Sequence, residues 1–158
     1  FFFFFRLSKG VSSAVTVAPP DADPAEARLH RDHAGARLLL VEDEPINREV
    51  TLMLLEDVWP EIDVAEDGAA AVAAVERTRY DLILMDMQMP RMDGLEASRR
   101  IRRLPNGATV PIVAMTANAF AEDREACLAA GMSDFLSKPV NPENLFTMLA
   151  AWLDRGVR

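Results

Sequence analysis

Three acids, a hydroxyl and an amine stand at comparable places in this sequence. Glu42 and Asp43 follow the apolar run Leu38–Val41, and Asp86 follows Leu82–Met85. Thr116 follows Ile112–Met115, and Lys138 follows Asp134–Ser137. Runs of this kind read as strands buried on both faces, as in the middle of a parallel sheet. Carboxylates held together at the ends of such strands repel. At ~4 Å and an effective dielectric near 20, each pair costs about 4 kcal/mol. Either one carboxylate takes up a proton or a cation binds. Oxygen donors without His or Cys favour Mg²⁺, which keeps several waters and shares phosphate ligands. Lys138 and the Thr116 hydroxyl complete a site for a tetrahedral anion. A carboxylate can itself be the nucleophile, here Asp86, and become an aspartyl phosphate. Mg²⁺ and Lys138 would then neutralise oxygen charge on the transferring group. Taken singly, each residue has a plainer reading: a capping Asp, solvated loop acids, a strand end, a surface salt bridge. Their joint placement is what points to chemistry.

The elements that must position them recur in a regular order. After the first strand, Pro45 suits a first helical turn, and Ile46, Val50, Met53 and Leu54 recur at helical spacing. Trp59-Pro60 breaks that helix. Residues 62–65 form a short second strand. Asp67 caps a second helix from Gly68 to about Thr78, with Val72 and Val75 inward. The third strand ends at Asp86. Pro90, Asp93 and Gly94 make a loop, and Asp93 caps a third helix to Arg103, with Ala97, Ile101 and Leu104 on one side. Pro105-Asn106-Gly107 is a turn before the fourth strand. A fourth helix, about Ala121 to Ala130, stops at Gly131. After the fifth strand, Asn141 caps a last helix with Pro142 at its first position and Leu145, Met148, Leu149 and Trp152 as its inner stripe. Five strand–helix units predict an α/β fold, a doubly wound parallel sheet with helices on both faces. Right-handed crossovers leave the flavodoxin-like (βα)5 order 2-1-3-4-5 as the natural choice. In that order all five residues project from one edge of one sheet.

The chain has 158 residues and a net charge of -8. The length allows one domain with a proper core. The acidity argues against nucleic acid as a partner. The one cysteine, Cys127, excludes an internal disulfide and fits a reducing, cytoplasmic setting. No segment has the ~20 apolar residues that span a bilayer, so no membrane contact is expected of this chain. Residues 1–17 open with five phenylalanines, which are either the end of an upstream domain or foreign to the native chain. Residues 18–36 are rich in Ala, Pro and Asp and read as a linker. Within it, PAEARLHRDH has the composition for one or two helical turns. His30 and His33 are solvated linker histidines on this reading, since a metal pair would lack a third ligand. Arg99, Arg100, Arg102 and Arg103 form a basic run read as a solvated face, with partner docking as the alternative.

Residues 37–154 resemble a receiver domain of a two-component response regulator. The segments LLLVEDEPINREV, LILMDMQMPRMDG, PIVAMTANA and FLSKPV match the family's four motif blocks and cover about three quarters of the chain. The resemblance implies that Asp86 is the phosphorylated residue. It implies an acidic pair for Mg²⁺, Asp43 directly and Glu42 mainly through water, with the backbone carbonyl of Gln88 as a further ligand. Thr116 and Lys138 would bind the phosphoryl oxygens, and the Lys138–Pro139 bond would be cis. Phe135 occupies the switch aromatic position. Gln88 and Asn118 occupy positions that tune phosphoryl lifetime. Glu-Asp in place of the common Asp-Asp pair is a familiar variant. Phosphorylation would draw Thr116 toward the new group, let Phe135 turn inward, and switch the face made by the fourth helix, fifth strand and fifth helix.

The blocks VEDEPINREV, AMTANA and SKPV look most like receivers inside hybrid sensor histidine kinases. FFFFFRLSKG is similar to the closing strand of a kinase ATP-binding domain, although the phenylalanine run departs from that pattern. The implied division is 1–17 as such an end, 18–36 as linker, 37–154 as receiver and 155–158 as tail. The implied donor is a phosphohistidine-bearing kinase or phosphotransfer domain. The parent chain would be a histidine kinase, itself membrane-anchored in some arrangements, while this part only accepts the phosphoryl group. No DNA-binding output domain is expected after the last helix, and a homodimer through the switch face is open. Two other functions stay open. One is a degenerate receiver that only binds protein. The other is a Mg²⁺-dependent aspartyl-phosphate phosphatase, against which stands Gln88, where such an enzyme needs a second Asp.

Overall fold

The structure is a computed structural model that describes residues 24–117 and 121–156. The readings placed on residues 1–23 and on Asn118 lie outside the described residues. Five strands alternate with helices: β1 Leu38–Val41, β2 Asp63–Ala65, β3 Leu82–Asp86, β4 Ile112–Thr116 and β5 Asp134–Ser137. They form one parallel sheet in the order β2-β1-β3-β4-β5, the doubly wound order expected. The helices are α1 Ala25–Asp32, α2 Pro45–Leu55, α3 Gly68–Arg77, α4 Gly94–Arg102, α5 Ala121–Ala129 and α6 Pro142–Gly156.

Side chains alternate across a strand, so each buried strand feeds two cores. Leu39, Val41, Ile83, Met85, Ile112 and Ala114 point to one face. There they pack with Ala71, Ala74 and Val75 of α3, Ala97 and Ile101 of α4, and Cys127 of α5. Leu38, Leu40, Leu82, Leu84, Val113 and Met115 point to the other. They meet Leu55 of α2, Leu145, Leu149 and Leu153 of α6, and Leu29 of α1. Each fully buried Leu or Ile contributes about 1.5–3 kcal/mol relative to exposure. Two apolar layers on one central sheet therefore fix the strand register, since a one-residue slip would exchange the two cores. The helix starts carry their own caps. Asp67 accepts from Ala70 N at 2.8 Å, Asp93 from Glu96 N at 2.9 Å, and Asn141 from Asn144 N at 3.1 Å. Gly131 ends the stretch after α5 with φ +94°, and a Cβ there would meet Arg102 Cγ at 2.8 Å.

Four expectations are corrected. Ile46, Val50 and Met53, the helical repeat of α2, are exposed at 69%, 50% and 62%. The buried side of α2 is instead Thr51 and Leu55, with Leu52 and Leu54 partly buried. The helix has two apolar faces, and periodicity alone cannot say which meets the sheet. The helical turns expected of PAEARLHRDH form α1, but they are docked beside α6 with Leu29 fully buried rather than lying free in a linker. His33, expected in solvent, is 5% exposed and sits 2.7 Å from Asp154 Oδ1. Its hydrogen bond holds the Asp154 carboxyl below the usual range. His30 is exposed, as expected. In the basic run, Arg99 and Arg100 pair with Glu96 in solvent. Arg102 turns inward and donates to the carbonyls of Gly131, Gly107 and Val110 at 2.8, 2.9 and 2.6 Å. Those carbonyls lie in loops with no ladder partner, and a guanidinium fork supplies several donors at once.

Candidate acidic site at the carboxyl edge of the sheet

Each residue of the site is carried there by backbone bonding. Glu42 N donates to Ala65 O at 3.1 Å, which continues the β1–β2 ladder one residue past the strand. The Glu42 side chain is thereby held in the sheet edge and is 1% exposed. Its Oε1 accepts from Glu44 N at 3.2 Å. Asp43, one residue further, is half-buried. Asp86 is the last residue of β3, opposite Met115 in register, and is 3% exposed. Close behind it, a Cβ on Gly94 would meet the Asp86 carbonyl oxygen at 2.5 Å, so only glycine lets α4 start there. Thr116 closes β4 and is buried. Lys138 N donates to Thr116 O at 2.8 Å, which returns the chain to the sheet after β5. The Lys138–Pro139 peptide bond is cis.

The Lys138 ammonium lies between two carboxylates, 2.9 Å from Asp86 Oδ1 and 3.2 Å from Glu42 Oε2. Glu42, Asp43 and Asp86 each offer an oxygen within 4.8 Å of the others. One ammonium does not balance three acids. Burial first, then the hydrogen bond and charge of Asp86, push the Glu42 carboxyl up to about 7. For Lys138 burial alone would favour the neutral amine. The hydrogen bond and charge of Asp86, then the charge of Glu42, more than offset this and raise it above the ordinary lysine value. A compact set of hard oxygens with surplus negative charge fits a small divalent cation such as Mg²⁺. Gln88 is exposed, and its N–H reaches Asp86 Oδ1 at 3.4 Å. Phe135 is half-buried on β5, and the Arg124 guanidinium carbon lies 4.6 Å from its ring centre.

Two supports went unread in the sequence. Glu44, passed over in the acidic run, caps α2 by accepting from Ile46 N at 2.8 Å. Arg48 Nη1 donates to the Glu42 carbonyl at 3.1 Å. A cation near a helix N-terminus opposes the helix dipole, and that misfit was the available signal for Arg48.

The model of the response regulator receiver domain family matches residues 38–150. The sensor protein GacS of Pseudomonas syringae is 36% identical over 156 residues, which is 97% of this chain and 17% of that protein. The chain thus spans less than a fifth of that relative. Among solved structures, the receiver domain of sensor histidine kinase PA1611 from Pseudomonas aeruginosa is 45% identical with a TM-score of 0.71. The match covers 75% of this chain and 98% of that one, whose active-site cleft coordinates a magnesium ion. The receiver domain of Ssk1 from Saccharomyces cerevisiae, crystallised with the histidine phosphotransfer protein Ypd1, is 30% identical with a TM-score of 0.69, over 78% of this chain and 92% of that one. Among the described residues no helix is long and apolar enough to cross a membrane. With its sheet order, its acidic edge and these likenesses, the chain belongs to the response regulator receiver domain family and is a receiver of two-component phosphorelay signalling.

Proposed function

We propose that Asp86 is the phospho-acceptor of this receiver, taking the group from a phosphohistidine in a Mg²⁺-dependent step. The observation that carries this is the Lys138 ammonium held between Asp86 and Glu42 at the carboxyl edge of the sheet. Asp43, Asp86, the Gln88 carbonyl and, through water, Glu42 are the groups that would hold Mg²⁺. When bound, the ion would neutralise charge on the phosphoryl oxygens. The residues of the chain do the rest. An Asp86 oxygen attacks phosphorus in line, the P–N bond breaks, and its electron pair stays with the departing imidazole. Lys138 follows the charge from carboxylate to phosphoryl oxygen, and the Thr116 hydroxyl donates to another. The phosphoryl group adds roughly -1.5 to -2 charge, enough to draw Thr116 toward it and free the space into which Phe135 turns. The face of α5, β5 and α6 is then biased to a second conformation. Gln88 and Asn118 tune how long the group persists.

The exposed stripe Ile46, Val50 and Met53 is where the donor docks. It lies on the helix that begins three residues after Glu42, and an apolar stripe of this kind marks a protein interface. The chain is a receiver from a histidine-kinase parent, a role supported by the 97% coverage against GacS, which runs beyond residues 38–150. Residues 1–17 are on this proposal the end of the kinase part.

The test is intact mass after incubation with a small acyl phosphate, with and without Mg²⁺. The expected result is one base-labile phosphate that needs Mg²⁺ and is absent from Asp86→Ala. An adduct that persists in Asp86→Ala would move the acceptor elsewhere. Turnover of added phosphomonoesters would instead favour a phosphatase.

A further inference from the structure

The helix α1 lies outside the matched residues 38–150, yet it is built into the domain. Its Leu29 is fully buried, and His33, the residue after the helix, is nearly so. Two bonds hold this segment from opposite sides. The Trp59 indole N–H donates to His33 O at 2.8 Å, and His33 Nε2 pairs with Asp154 Oδ1 of α6 at 2.7 Å. Arg28 reaches the second oxygen of Asp154 at 3.3 Å. Asp154 thus ties α1 to the last turns of α6. Two residues earlier on α6, the Trp152 indole N–H donates to Asp134 Oδ2 at 3.0 Å. Asp134 opens β5 and directly precedes Phe135. The Arg155 guanidinium lies over the Trp152 ring at 4.3 Å, which further fixes its orientation. Hydrogen bonds thus tie β5 to Trp152, and Asp154 to His33 and Trp59, with the backbone of α6 joining Trp152 to Asp154.

We infer that α1 is a strap coupled to the phosphorylation switch, with Asp134, Trp152 and Asp154 as the connection between Phe135 and the segment that precedes the receiver. This rests on the proposed phosphorylation of Asp86. A shift of β5 moves the acceptor of the Trp152 indole. The end of α6 must follow or lose that bond, and α1 is bonded to the same turn. Coupling of this kind is reciprocal: whatever holds or pulls α1 biases the switch by the same factor. Spatial continuity alone does not establish coupling, and the two tryptophans supply a direct readout.

The chain is labelled with 5-fluorotryptophan, and its two ¹⁹F resonances are assigned with Trp59→Phe. Spectra are recorded before and after phosphorylation by acetyl phosphate with Mg²⁺, and intact mass is measured on the same sample. Both resonances are expected to shift in the phosphorylated native chain. In Asp154→Ala, which removes the acceptor of both His33 and Arg28, and independently in Arg28→Ala, the Trp59 shift is expected to fall by about half or more while the Trp152 shift persists. A phosphorylated chain whose Trp59 resonance does not move overturns the coupling and leaves the phosphorylation intact. Equal Trp59 shifts in native and variant chains overturn the route through Asp154. No phosphate in the mass spectrum removes the phosphorylation proposal and the coupling with it.

Discussion

The acidic edge and the α1–α6 joint both pair a nitrogen cation or ring with a carboxylate, and they differ in balance. At the joint, Asp154 receives His33 at 2.7 Å and Arg28 at 3.3 Å, and it keeps 46% of its side chain in solvent. At the edge, Lys138 is the one cation among the described residues that pairs with Glu42 and Asp86, which are 1% and 3% exposed, with Asp43 alongside. Positive charge matches the carboxylate at the joint and falls short of the three carboxylates at the edge. A satisfied pair holds elements together. An unsatisfied cluster stores unfavourable charge that a cation and a phosphoryl group can relieve, which is what a reactive site requires. The raised Glu42 and the lowered Asp154 carboxyls record the two outcomes.

The largest expected effect breaks the edge. Lys138→Ala removes the ammonium between Glu42 and Asp86, and without Mg²⁺ at pH 8 the variant should lose about 2–3 kcal/mol in urea unfolding. The same measurement on Asp154→Asn should show about 1 kcal/mol or less, because the amide oxygen still accepts from His33. Equal losses would erase the contrast.

An effect of comparable size sharpens it through pH. The Glu42 carboxyl lies higher in the folded chain, at about 7, than its ordinary value of 4.5. The folded chain therefore binds that proton more tightly than the unfolded chain. Stability from this group is fully present below pH 4.5 and is lost as pH rises through about 7, a change of up to about 3 kcal/mol. Urea unfolding without Mg²⁺ between pH 5 and 8 should show this fall, and Glu42→Gln should flatten it. A slope unchanged in the variant would assign the titration to another group.

The smallest effect on stability lies on α2. Val50→Glu should change unfolding by less than about 0.5 kcal/mol, since Val50 is 50% exposed. Phosphate uptake from acetyl phosphate should stay as it is. Transfer from a phosphohistidine donor should drop by about tenfold or more. Loss of both activities would place Val50 in the site itself, and loss of neither would move donor docking to another surface.

Much of this was legible in the residues. Short apolar runs, each closed by a polar residue, marked the first, third and fourth strands, and Asp67, Asp93, Asn141 and Gly131 marked helix ends, because these signals act over a few residues. The placement of Glu42, Asp43, Asp86, Thr116 and Lys138 at one edge was legible because strand ends in a parallel sheet share one edge whatever their distance in sequence. The sequence alone thus determined the fold class, the sheet order and the chemical types at the edge. Tertiary structure alone decided which apolar face of α2 meets the sheet, that Arg102 turns in to serve loop carbonyls, and that α1 docks on α6. Those outcomes depend on which partner surface lies nearby, and no local pattern encodes it. His33 shows this most plainly. In sequence it stands among solvated residues, and only the approach of Asp154 and Trp59, 121 and 26 positions away, makes its burial favourable.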